Sequence, residues 1–581
     1  MEGKLASLQR KRLAGEKGVV RKDWGGRLSV ALVYPNTYGV GMSSLGLQVV
    51  YDLLNRDGRV VAERFFHPDK PEISLPPAGG KGLLSMESLS PISRFDIIAF
   101  SLSFENDYPN VLRILDWGRI PILEECRDDS CPLVVGGGIT TMLNPEPLAP
   151  FFDAFLIGEA EAVLERFITL FLELSGGGAG RRGLLRELAL KIPSLYVPAL
   201  YRPCHGPDGG LKGMETVDSG IPKRIIPARD IEDRMPAVSV ITTPETEFGE
   251  KVLVELGRGC GRSCRFCAAG YVYRPPRFRR GEDLIECVDR ALSVTRRLGL
   301  LSPAVSDTPG IETLTGRIVD QGGEFSVSSL RADSLSRELL LNLKRAGQKS
   351  LAIAPEAGTD RLRRVINKHM TEEVILEAVR NIASIREFSL RLYFMIGLPT
   401  ETREDISGIV ELAKRIRHQM VRESGGRGTI GLIRLSVNCF VPKPFTPFQW
   451  FPMEGVASLK DKQKRIRKGV MKEGGMSVAF DVPRWAYVQA LLSMGDRRAG
   501  KILMAAHRFE GDWKKAFRHS EVNPDFFVRR PKGLDEVLPW DHIDHGIRKD
   551  HLRQEYRLAL EGKESPECKV GQCDRCGVCS L

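Results

Sequence analysis

Residues 252–270 read VLVELGRGCGRSCRFCAAG, a short apolar run that leads directly into three cysteines, Cys260, Cys264 and Cys267. Thiolates are soft ligands that suit zinc or iron–sulfur clusters. A structural zinc ion takes four ligands, and no fourth cysteine or histidine lies near this stretch in the sequence. A [4Fe–4S] cluster held by three thiolates instead leaves one iron open to a further ligand. The spacing therefore favours a catalytic iron–sulfur site over a structural zinc site.

The region around these cysteines alternates strands and helices. Apolar stretches with the composition of strands, mostly separated by amphipathic helical stretches, lie at 251–256, 300–306, 324–330, 350–357, 390–399 and 432–442. Such alternation is typical of a parallel sheet covered by helices, and it predicts a partial parallel β/α barrel over residues 247–455. The active sites of such barrels lie at the C-terminal ends of the strands, where the three cysteines are expected.

A second α/β region precedes the barrel. Residues 1–185 alternate buried strands, turns and helices, which predicts a doubly wound, Rossmann-like sheet whose ligand loops follow the strand C-termini. No Gly-x-Gly-x-x-Gly follows the first strand, so dinucleotide binding is not supported. Residues 186–246 are rich in proline and predict a linker with short strands. Residues 456–581 predict a small, mainly helical and basic region that ends in a tail with four cysteines.

The composition limits the class of protein. A chain of 581 residues is long enough for roughly three or four domains, and 42% hydrophobic with 27% charged residues is a globular composition. No apolar run approaches the length that crosses a bilayer, and the sequence starts without an apolar signal core, so we expect a cytoplasmic protein with no membrane partner. The net charge of +11 permits an RNA partner, although the densest basic stretch, 460–468, predicts a solvated helix face.

The tail contains the spacing Cys568-x4-Cys573-x2-Cys576-x2-Cys579, a candidate for a second metal site. Four thiols in so short a stretch resemble ferredoxin-type loops that wrap an iron–sulfur cluster. A zinc knuckle usually has a longer spacer between its two cysteine pairs, and a mobile redox tail without metal is a third interpretation. The scattered cysteines are most simply small buried apolar residues: Cys126, Cys131, Cys204, Cys287 and Cys439.

The three-cysteine motif, with Phe266 before its last cysteine, resembles the signature of the radical S-adenosylmethionine (SAM) superfamily. The resemblance implies that the open iron chelates the amino and carboxylate groups of SAM. It also implies that an electron from the cluster cleaves SAM to a 5'-deoxyadenosyl radical, with Phe266 beside the adenine.

The other strand ends also resemble this family. MIGLPTE (395–401) is similar to the fifth-strand motif, which implies adenine contacts from the backbone of Ile396 and Gly397. APEAG (354–358) is similar to the fourth-strand segment, which makes Glu356 a candidate ligand of the ribose and methionine parts of SAM. SSLRAD (328–333) ends the third strand, with Ser329 and Arg331 as candidate SAM contacts. No clear Gly-Gly-Glu follows the second strand, so the group that holds the SAM amine is not assigned.

A doubly wound domain placed before such a barrel resembles the cobalamin-binding radical SAM enzymes, whose first domain presents cobalamin to the barrel. The resemblance extends over nearly the whole chain, including APEAGTDRLRRVINK and LPWDHIDHG. No Asp-x-His-x-x-Gly is present, and His67 is the only histidine before residue 200, so we expect no histidine ligand below the cobalt. The loops that would contact cobalamin hold Ser101, Ser103, Gly136, Gly137, Gly138, Gly158 and Glu159.

These features predict a radical methyltransferase, or a related enzyme that functionalises C–H bonds, supplied with electrons by a flavodoxin or ferredoxin. One alternative is a methylthiotransferase acting on tRNA or a ribosomal protein. Those enzymes carry a second cluster at their N-terminus, whereas only two cysteines precede Cys204 here. The other alternative is a non-catalytic cobalamin- or iron-sensing regulator that binds RNA. The sequence predicts neither the substrate nor the oligomeric state.

Overall fold

A computed structural model describes residues 2–68, 82–178, 180–231, 236–425 and 429–580. The chain divides into two compact units. The first unit comprises Met1–Glu250, Leu491–Phe527 and Asp535–His545, and the second comprises Lys251–Ala490, Val528–Leu534 and Gly546–Leu581. In the described part of the chain, no helix combines the length and apolar character needed to cross a bilayer.

The first unit is built on a parallel sheet. Its strands are β1 (Leu28–Tyr34), β2 (Val60–Phe66), β3 (Ile97–Ser101), β4 (Leu133–Gly137), β5 (Ala154–Leu156) and β6 (Leu195–Tyr196), followed by a hairpin of β7 (Tyr201–His205) and β8 (Leu211–Thr216). The sheet order is β2-β1-β3-β4-β5-β6, with the first five strands parallel and β6 antiparallel. This arrangement confirms the predicted doubly wound sheet.

Helices connect and cover these strands. They are α1 (Glu2–Ala14), α2 (Tyr38–Met42), α3 (Leu45–Arg56), α4 (Tyr108–Trp117), α5 (Ile139–Leu143), α6 (Ala160–Ser175) and α7 (Gly180–Lys191). Short 3-10 turns lie at Ile92–Arg94, Glu105–Asp107, Glu124–Cys126, Glu146–Phe151 and Pro198–Leu200. Every residue of β1 and β2 is buried, as expected for a parallel sheet covered on both faces.

The sequence analysis assigned no strand to 60–66, where β2 lies. Glu63 and Arg64 interrupt the apolar pattern there, yet both are buried. Arg64 forms ion pairs with Glu16 and Glu87, each at 2.7 Å. The two carboxylates supply the charge that a buried guanidinium requires, and they lie too far away in sequence for a local pattern to indicate them.

The second unit contains the predicted partial barrel. Its strands are β9 (Val252–Glu255), β10 (Gly257–Arg258), β11 (Arg277–Phe278), β12 (Arg297–Leu301), β13 (Glu324–Val327), β14 (Ser350–Glu356), β15 (Ser389–Ile396), β16 (Ile433–Cys439) and β17 (Met476–Phe480). One sheet pairs β9-β12-β13 and the next pairs β14-β15-β16-β17, all in parallel. A parallel bridge between Leu330 and Ile353 joins the two sheets.

The barrel helices are α8 (Ala269–Val272), α9 (Gly281–Val294), α10 (Ile311–Asp320), α11 (Arg337–Arg345), α12 (Asp360–Val365), α13 (Glu372–Ile385), α14 (Arg403–Glu423) and α15 (Val456–Val470). The final region adds α16 (Pro483–Met494), α17 (Ala499–Arg508), α18 (Trp513–His519), α19 (Asp525–Val528) and α20 (Lys549–Leu560). Further 3-10 turns lie at Val305–Asp307, Ala332–Ser334, Pro447–Trp450 and Val578–Ser580.

Two of the differences between the barrel and the sequence expectation concern its parallel strands. The strand expected at 300–306 is β12, at Arg297–Leu301, because α9 ends at Val294 rather than continuing to residue 299. Met476–Phe480 forms a further parallel strand, β17, inside the region expected to be helical. In β17 exposed and half-buried residues alternate, so its sequence lacks the continuous apolar run of a central strand.

The C-terminal region 456–581 contributes to both units, and the described residues of 186–246 all belong to the first unit.

The five scattered cysteines differ in burial. Cys287 and Cys439 are buried as predicted, but Cys126 is exposed and Cys131 and Cys204 are half-buried. The expectation of uniform burial was wrong for these three because they lie in surface turns or on a two-stranded hairpin.

Candidate active site

The three cysteines lie in a loop that follows β9. Strand β10 pairs in antiparallel register with β11 and closes the loop at its base. Gly259 is essential to this closure, because its φ is +83° and a Cβ there would lie 2.5 Å from the Tyr273 carbonyl oxygen. Cys264 is buried, while Cys260 and Cys267 are half-buried. The loop therefore occupies the C-terminal end of the first barrel strand, as the sequence predicted.

Arg265, between the second and third cysteines, fixes the loop from inside. Its side chain is fully buried and its Nε donates to Glu555 Oε2 at 3.0 Å, with Glu555 supplied by α20. Its terminal nitrogens donate to backbone carbonyls of Arg364, Val365 and Lys563. The backbone N–H of Arg265 donates to Ile366 O at 3.0 Å. The end of α12 and the chain after α20 thus hold the loop together.

Arg262 provides a second anchor on the outer side of the loop. It contacts Asp307 through two hydrogen bonds of 2.7 and 2.8 Å, and it contacts Glu567 at 2.7 Å. Asp307 follows β12, so this ion pair connects neighbouring strand ends. Hydrogen bonding to Asp307 and Glu567 raises the pKa of Arg262, which keeps it charged and paired.

The three thiols influence one another electrostatically. Burial, with the charges of the neighbouring Cys264 and Cys260, raises the pKa of Cys267 to about 12. Burial, with the charge of Cys264, also raises the pKa of Cys260. Metal ligation deprotonates a thiol outright and supplies the positive charge that neighbouring thiolates require. The chemistry of this donor set fits an iron–sulfur cluster.

In the described residues, no three histidine, cysteine, aspartate or glutamate side chains are already arranged to hold a metal ion. The backbone positions of the loop are set by Arg262, Arg265 and the β10–β11 pair.

Phe266, which is expected beside the adenine, packs on an apolar cluster at the ends of β14, β15 and β16, together with Met395. The buried members of that cluster are Ala357, Leu362, Val365, Ile366, Leu398, Phe440, Phe448 and Ala559. The structure therefore brings Phe266 together with the MIGLPTE segment, although the two are about 130 positions apart in the sequence.

The predicted backbone contacts of the MIGLPTE segment already have protein partners. The Ile396 carbonyl accepts from the Phe440 N–H at 2.9 Å. The Gly397 N–H donates to the Glu401 carboxylate at 3.0 and 3.1 Å, and Glu401 in turn pairs with Lys462. These bonds fix the bend after β15.

Glu356 and Arg331 meet at a third residue that the sequence analysis missed, Lys368. Glu356 has φ +65° and contacts Lys368 Nζ at 3.3 Å, while Arg331 Nη2 donates to the Lys368 carbonyl at 3.1 Å. Burial raises the pKa of Glu356, opposed by Lys368 and Arg331. Ser329 is exposed. Lys368 lies twelve residues after Glu356, at the end of RRVINK, and no ligand spacing marks it in the sequence.

The arginine-rich stretch at 274–280 has acidic partners within its own unit. Arg279 pairs with Glu255 at 2.8 Å and Arg280 pairs with Asp283 at 2.8 Å. Arg274 is buried and donates to Ser263 Oγ at 2.8 Å and to Gly270 O at 2.7 Å. These contacts give the stretch a structural role and do not require an acidic substrate.

The cysteine tail lies against the three-cysteine loop within the second unit. The Cys568 N–H donates to Gly261 O at 2.8 Å. Three of its cysteines line one small pocket: Cys568, Cys573 and Cys576, together with Ser263, Arg274, His551, Glu555, Pro566 and Arg575. Burial, with the charges of Cys573, Cys576 and Cys579 and against the opposing effect of Arg274, raises the pKa of Cys568 to about 11.

In the first unit, two of the predicted ligand loops lie together at the C-terminal edge of the sheet. The Leu102 N–H donates to Gly137 O at 2.8 Å, which joins the loop after β3 to the end of β4. Ser101 is half-buried, and Ser103 is exposed and hydrogen-bonded to Tyr34. A Cβ at Gly137 would have the Leu156 carbonyl oxygen, at 3.7 Å, as its nearest neighbour. A side chain at Gly137 would therefore meet no close contact at its Cβ.

The other predicted glycines are required by the fold itself. A Cβ at Gly136 would meet the Phe155 ring at 2.7 Å, and at Gly138 it would meet Leu102 O at 2.4 Å. Gly158 pairs with Ala228, and Glu159 accepts the Asp230 N–H at 3.0 Å. Gly158 and Glu159 are thus engaged by the chain at 228–230. Tertiary contacts alone explain these residue types, so they give no separate support to a ligand role.

His67 follows β2, and its ring packs on Trp117 with centroids 5.0 Å apart.

Comparison with known proteins gives two family matches. Residues 46–198 match the profile "Radical SAM proteins, N-terminal", and residues 254–413 match the profile "Radical SAM superfamily". The uncharacterized protein MJ0966 of Methanocaldococcus jannaschii is 31% identical over 481 residues, which is 82% of this chain and 90% of that protein.

More distant matches cover parts of the chain. The tRNA-2-methylthio-N(6)-dimethylallyladenosine synthase of Clostridium beijerinckii is 24% identical over 29% of this chain and 40% of its own length. Among solved structures, the radical SAM methyltransferase TsrM from Kitasatospora setae is 14% identical, with 70% of this chain and 72% of that chain covered and a TM-score of 0.43.

Proposed function

The chain belongs to the radical SAM superfamily, and we propose that it is a radical methyltransferase that uses a cobalamin held by the first unit. The observation that carries this proposal is the loop with Cys260, Cys264 and Cys267 at the C-terminal end of the first strand of a partial parallel barrel. Catalytic residues of β/α barrels lie at this end of the strands. The proposed product is a substrate methylated at an unactivated carbon.

The three cysteines would hold a [4Fe–4S] cluster. When bound, such a cluster supplies the electron that cleaves SAM reductively, with a flavodoxin or ferredoxin as the proposed source. The chain's own part is to orient the loop and shield it from water. Arg265 and Arg262 fix the loop backbone through Glu555 and Asp307, and rigid support of this kind keeps a reactive site in one geometry.

We assign SAM binding to the residues at the strand ends. Phe266 and the neighbouring Met395 offer an apolar surface for the adenine. Glu356 offers carboxylate oxygens that can accept hydrogen bonds from hydroxyl or amino groups. Arg331 and Lys368 add positive charge beside Glu356, which suits the carboxylate of SAM. This set combines one apolar wall with a few polar groups, as small-molecule sites usually do.

We assign cobalamin to the C-terminal edge of the first unit, where parallel doubly wound sheets bind their ligands. The hydrogen bond that joins the loop after β3 to the end of β4 supports this assignment, since it brings two of these loops together. When bound, cobalamin supplies the methyl group. No histidine other than His67 precedes residue 200, so we do not assign a histidine ligand to the cobalt.

The test combines two measurements on protein purified without oxygen from cobalamin-supplemented cells. Absorption spectroscopy reports bound corrinoid, and incubation with SAM and a strong reductant reports 5'-deoxyadenosine. We expect both signals in the wild type, with loss of 5'-deoxyadenosine but retention of corrinoid in Cys264→Ala. The matched control is Cys287→Ala, another buried cysteine of the same unit, which should retain both.

The two measurements separate the parts of the proposal. No 5'-deoxyadenosine from cluster-loaded protein, even with candidate substrates, would overturn SAM cleavage. An intact cluster without corrinoid would overturn cobalamin-dependent methylation and leave a SAM-cleaving enzyme whose first unit serves another purpose.

A methylthiotransferase is the second candidate, favoured by the alignment of 29% of this chain with tRNA-modifying enzymes. Appearance of sulfur as well as carbon in the product would support it. Transfer of a methyl group without sulfur supports the leading proposal.

A further inference from the structure

The tail after α20 is joined to the three-cysteine loop at several points. The Cys568 N–H donates to Gly261 O at 2.8 Å, and Glu567 forms an ion pair with Arg262 at 2.7 Å. A Cβ on Gly261 would lie 3.2 Å from the Cys568 carbonyl oxygen. The main chain at Cys568 therefore lies in direct contact with the residue that follows Cys260.

Turns bring the tail cysteines back toward Cys568. Gly571 and Gly577 have φ of +72° and +87°, backbone conformations that residues with a Cβ rarely adopt. The Gly577 N–H donates to Asp574 O, and the Cys576 carbonyl accepts from the Arg548 N–H at 2.9 Å. The segment folds as successive tight turns whose ends are tied to the start of α20.

The thiols converge on one region of this folded tail. Cys568, Cys573 and Cys576 line the same pocket, and Cys576 is only 3% exposed. Cys579 is close enough for its charge to act on Cys568. All four are free cysteines, so no disulfide accounts for their proximity.

A buried arginine links this group to the loop. Arg274 donates to Ser263 Oγ, within the three-cysteine motif, and it also hydrogen-bonds to the Cys576 side chain. A fixed positive charge beside clustered sulfurs offsets the negative charge that several thiolates bring. This contact gives the tail and the loop a common side-chain neighbour.

We propose that Cys568, Cys573, Cys576 and Cys579 bind a metal centre through four thiolates, and that this centre positions the three-cysteine loop through Gly261 and Arg274. Four sulfur ligands suit either one zinc ion or an iron–sulfur cluster. The proposal is separate from SAM cleavage and does not require it.

Metal and sulfide analysis of the full-length protein, purified without oxygen, is the direct test. The double variant Cys573→Ser/Cys576→Ser should lose about one zinc per chain, or about four irons with their sulfide, relative to the wild type. Zinc loss identifies a zinc site and iron loss a second cluster. The matched control, Cys126→Ser/Cys131→Ser in the first unit, should lose neither. A double variant with unchanged metal content would overturn the proposal.

A converse variant guards against misfolding of the tail. Cys260→Ala/Cys264→Ala/Cys267→Ala should lose the iron of the loop and retain the metal of the tail. If this variant contained no metal, that result would also count against a metal site in the tail. If the tail metal remains while wild-type protein fails to cleave SAM, the tail site stands and the proposed function fails.

Electron paramagnetic resonance of the reduced loop cluster tests the positioning role. We expect an altered spectrum in the Cys573→Ser/Cys576→Ser variant, because Gly261 loses the support of a metal-ordered Cys568. An unaltered spectrum in a variant that has lost its tail metal would overturn the positioning role.

Discussion

Glu555 on α20 neutralises the buried arginine inside the three-cysteine loop, and we predict that Glu555→Gln loosens that loop. The substitution keeps an oxygen that can accept from Arg265 Nε and from Ser565 Oγ, which donate to Glu555 at 3.0 and 2.7 Å. It removes the countercharge of a guanidinium whose side chain is 0% exposed.

The size of the expected destabilisation follows from the burial of the Arg265–Glu555 ion pair. Arg265 retains three carbonyl acceptors, so its hydrogen bonds survive but its charge is unpaired. Removal of one partner of a buried ion pair costs about 3–5 kcal/mol. Because an acceptor oxygen remains, we expect the lower value, about 3 kcal/mol. For a unit of this size, that corresponds to a decrease in Tm of about 6 °C.

Calorimetry under anaerobic conditions measures the transition of the cluster-loaded protein. The control is Glu561→Gln on the exposed pair between Glu561 and Lys563, which should not change Tm measurably. Iron content gives a second readout, since a loosened loop should lose iron more readily to a chelator. Equal Tm and equal iron loss in the Glu555 and Glu561 variants would refute the assigned role of the buried pair.

Three further predictions concern other sites. Burial raises the pKa of Asp107 to about 7, so the folded state holds a proton that the unfolded chain has released. The free energy of unfolding should therefore fall by up to about 4 kcal/mol as pH rises from about 4 to about 7. Denaturation titrations of Asp107→Asn should lack this pH dependence. The same pH profile of the free energy of unfolding in the wild type and the variant would contradict the prediction. Glu356→Gln should weaken SAM binding about tenfold or more in calorimetric titration, and Glu377→Gln on α13 should not; equal affinities would exclude Glu356 as a ligand. Gly358→Ala should destabilise the second unit by about 1–3 kcal/mol in thermal melts, because its Cβ would lie 2.3 Å from the Ile409 backbone nitrogen. The control is Gly281→Ala, whose Cβ would have no atom within 4 Å and which should not change the melting temperature.

The parallel strands of both units could be predicted because most are short apolar runs bounded by turn residues. The runs of β1, β3, β15 and β16 are visible in the sequence for this reason. β2 and β17 were missed because their stability comes from partners outside the local pattern. In β2, ion pairs to Arg64 replace apolar character, and β17 is stabilised by its pairing with β16.

The candidate site likewise has features that a local sequence pattern indicates and features that depend on folding. The cysteine spacing gave the loop and its place at the end of a strand, since ligand spacing is a local property. Lys368 and Glu555 could not be found in this way, because their roles arise from contacts with residues brought together only by folding. At Gly136 and Gly138, packing against Phe155 and Leu102 already requires glycine, so the presence of glycine there does not by itself indicate a ligand loop.

The anchors of the three-cysteine loop have a consequence for the order in which the protein is made. Arg262 and Arg265 take partners from positions 290 to 305 residues later in the chain. A ribosome that has completed every strand of the barrel has still not supplied Glu555, Lys563 or Glu567. The loop therefore cannot reach its described arrangement until residues 555–567 have been synthesised. A chain that ends before these residues carries the three cysteines but lacks the contacts that hold their loop.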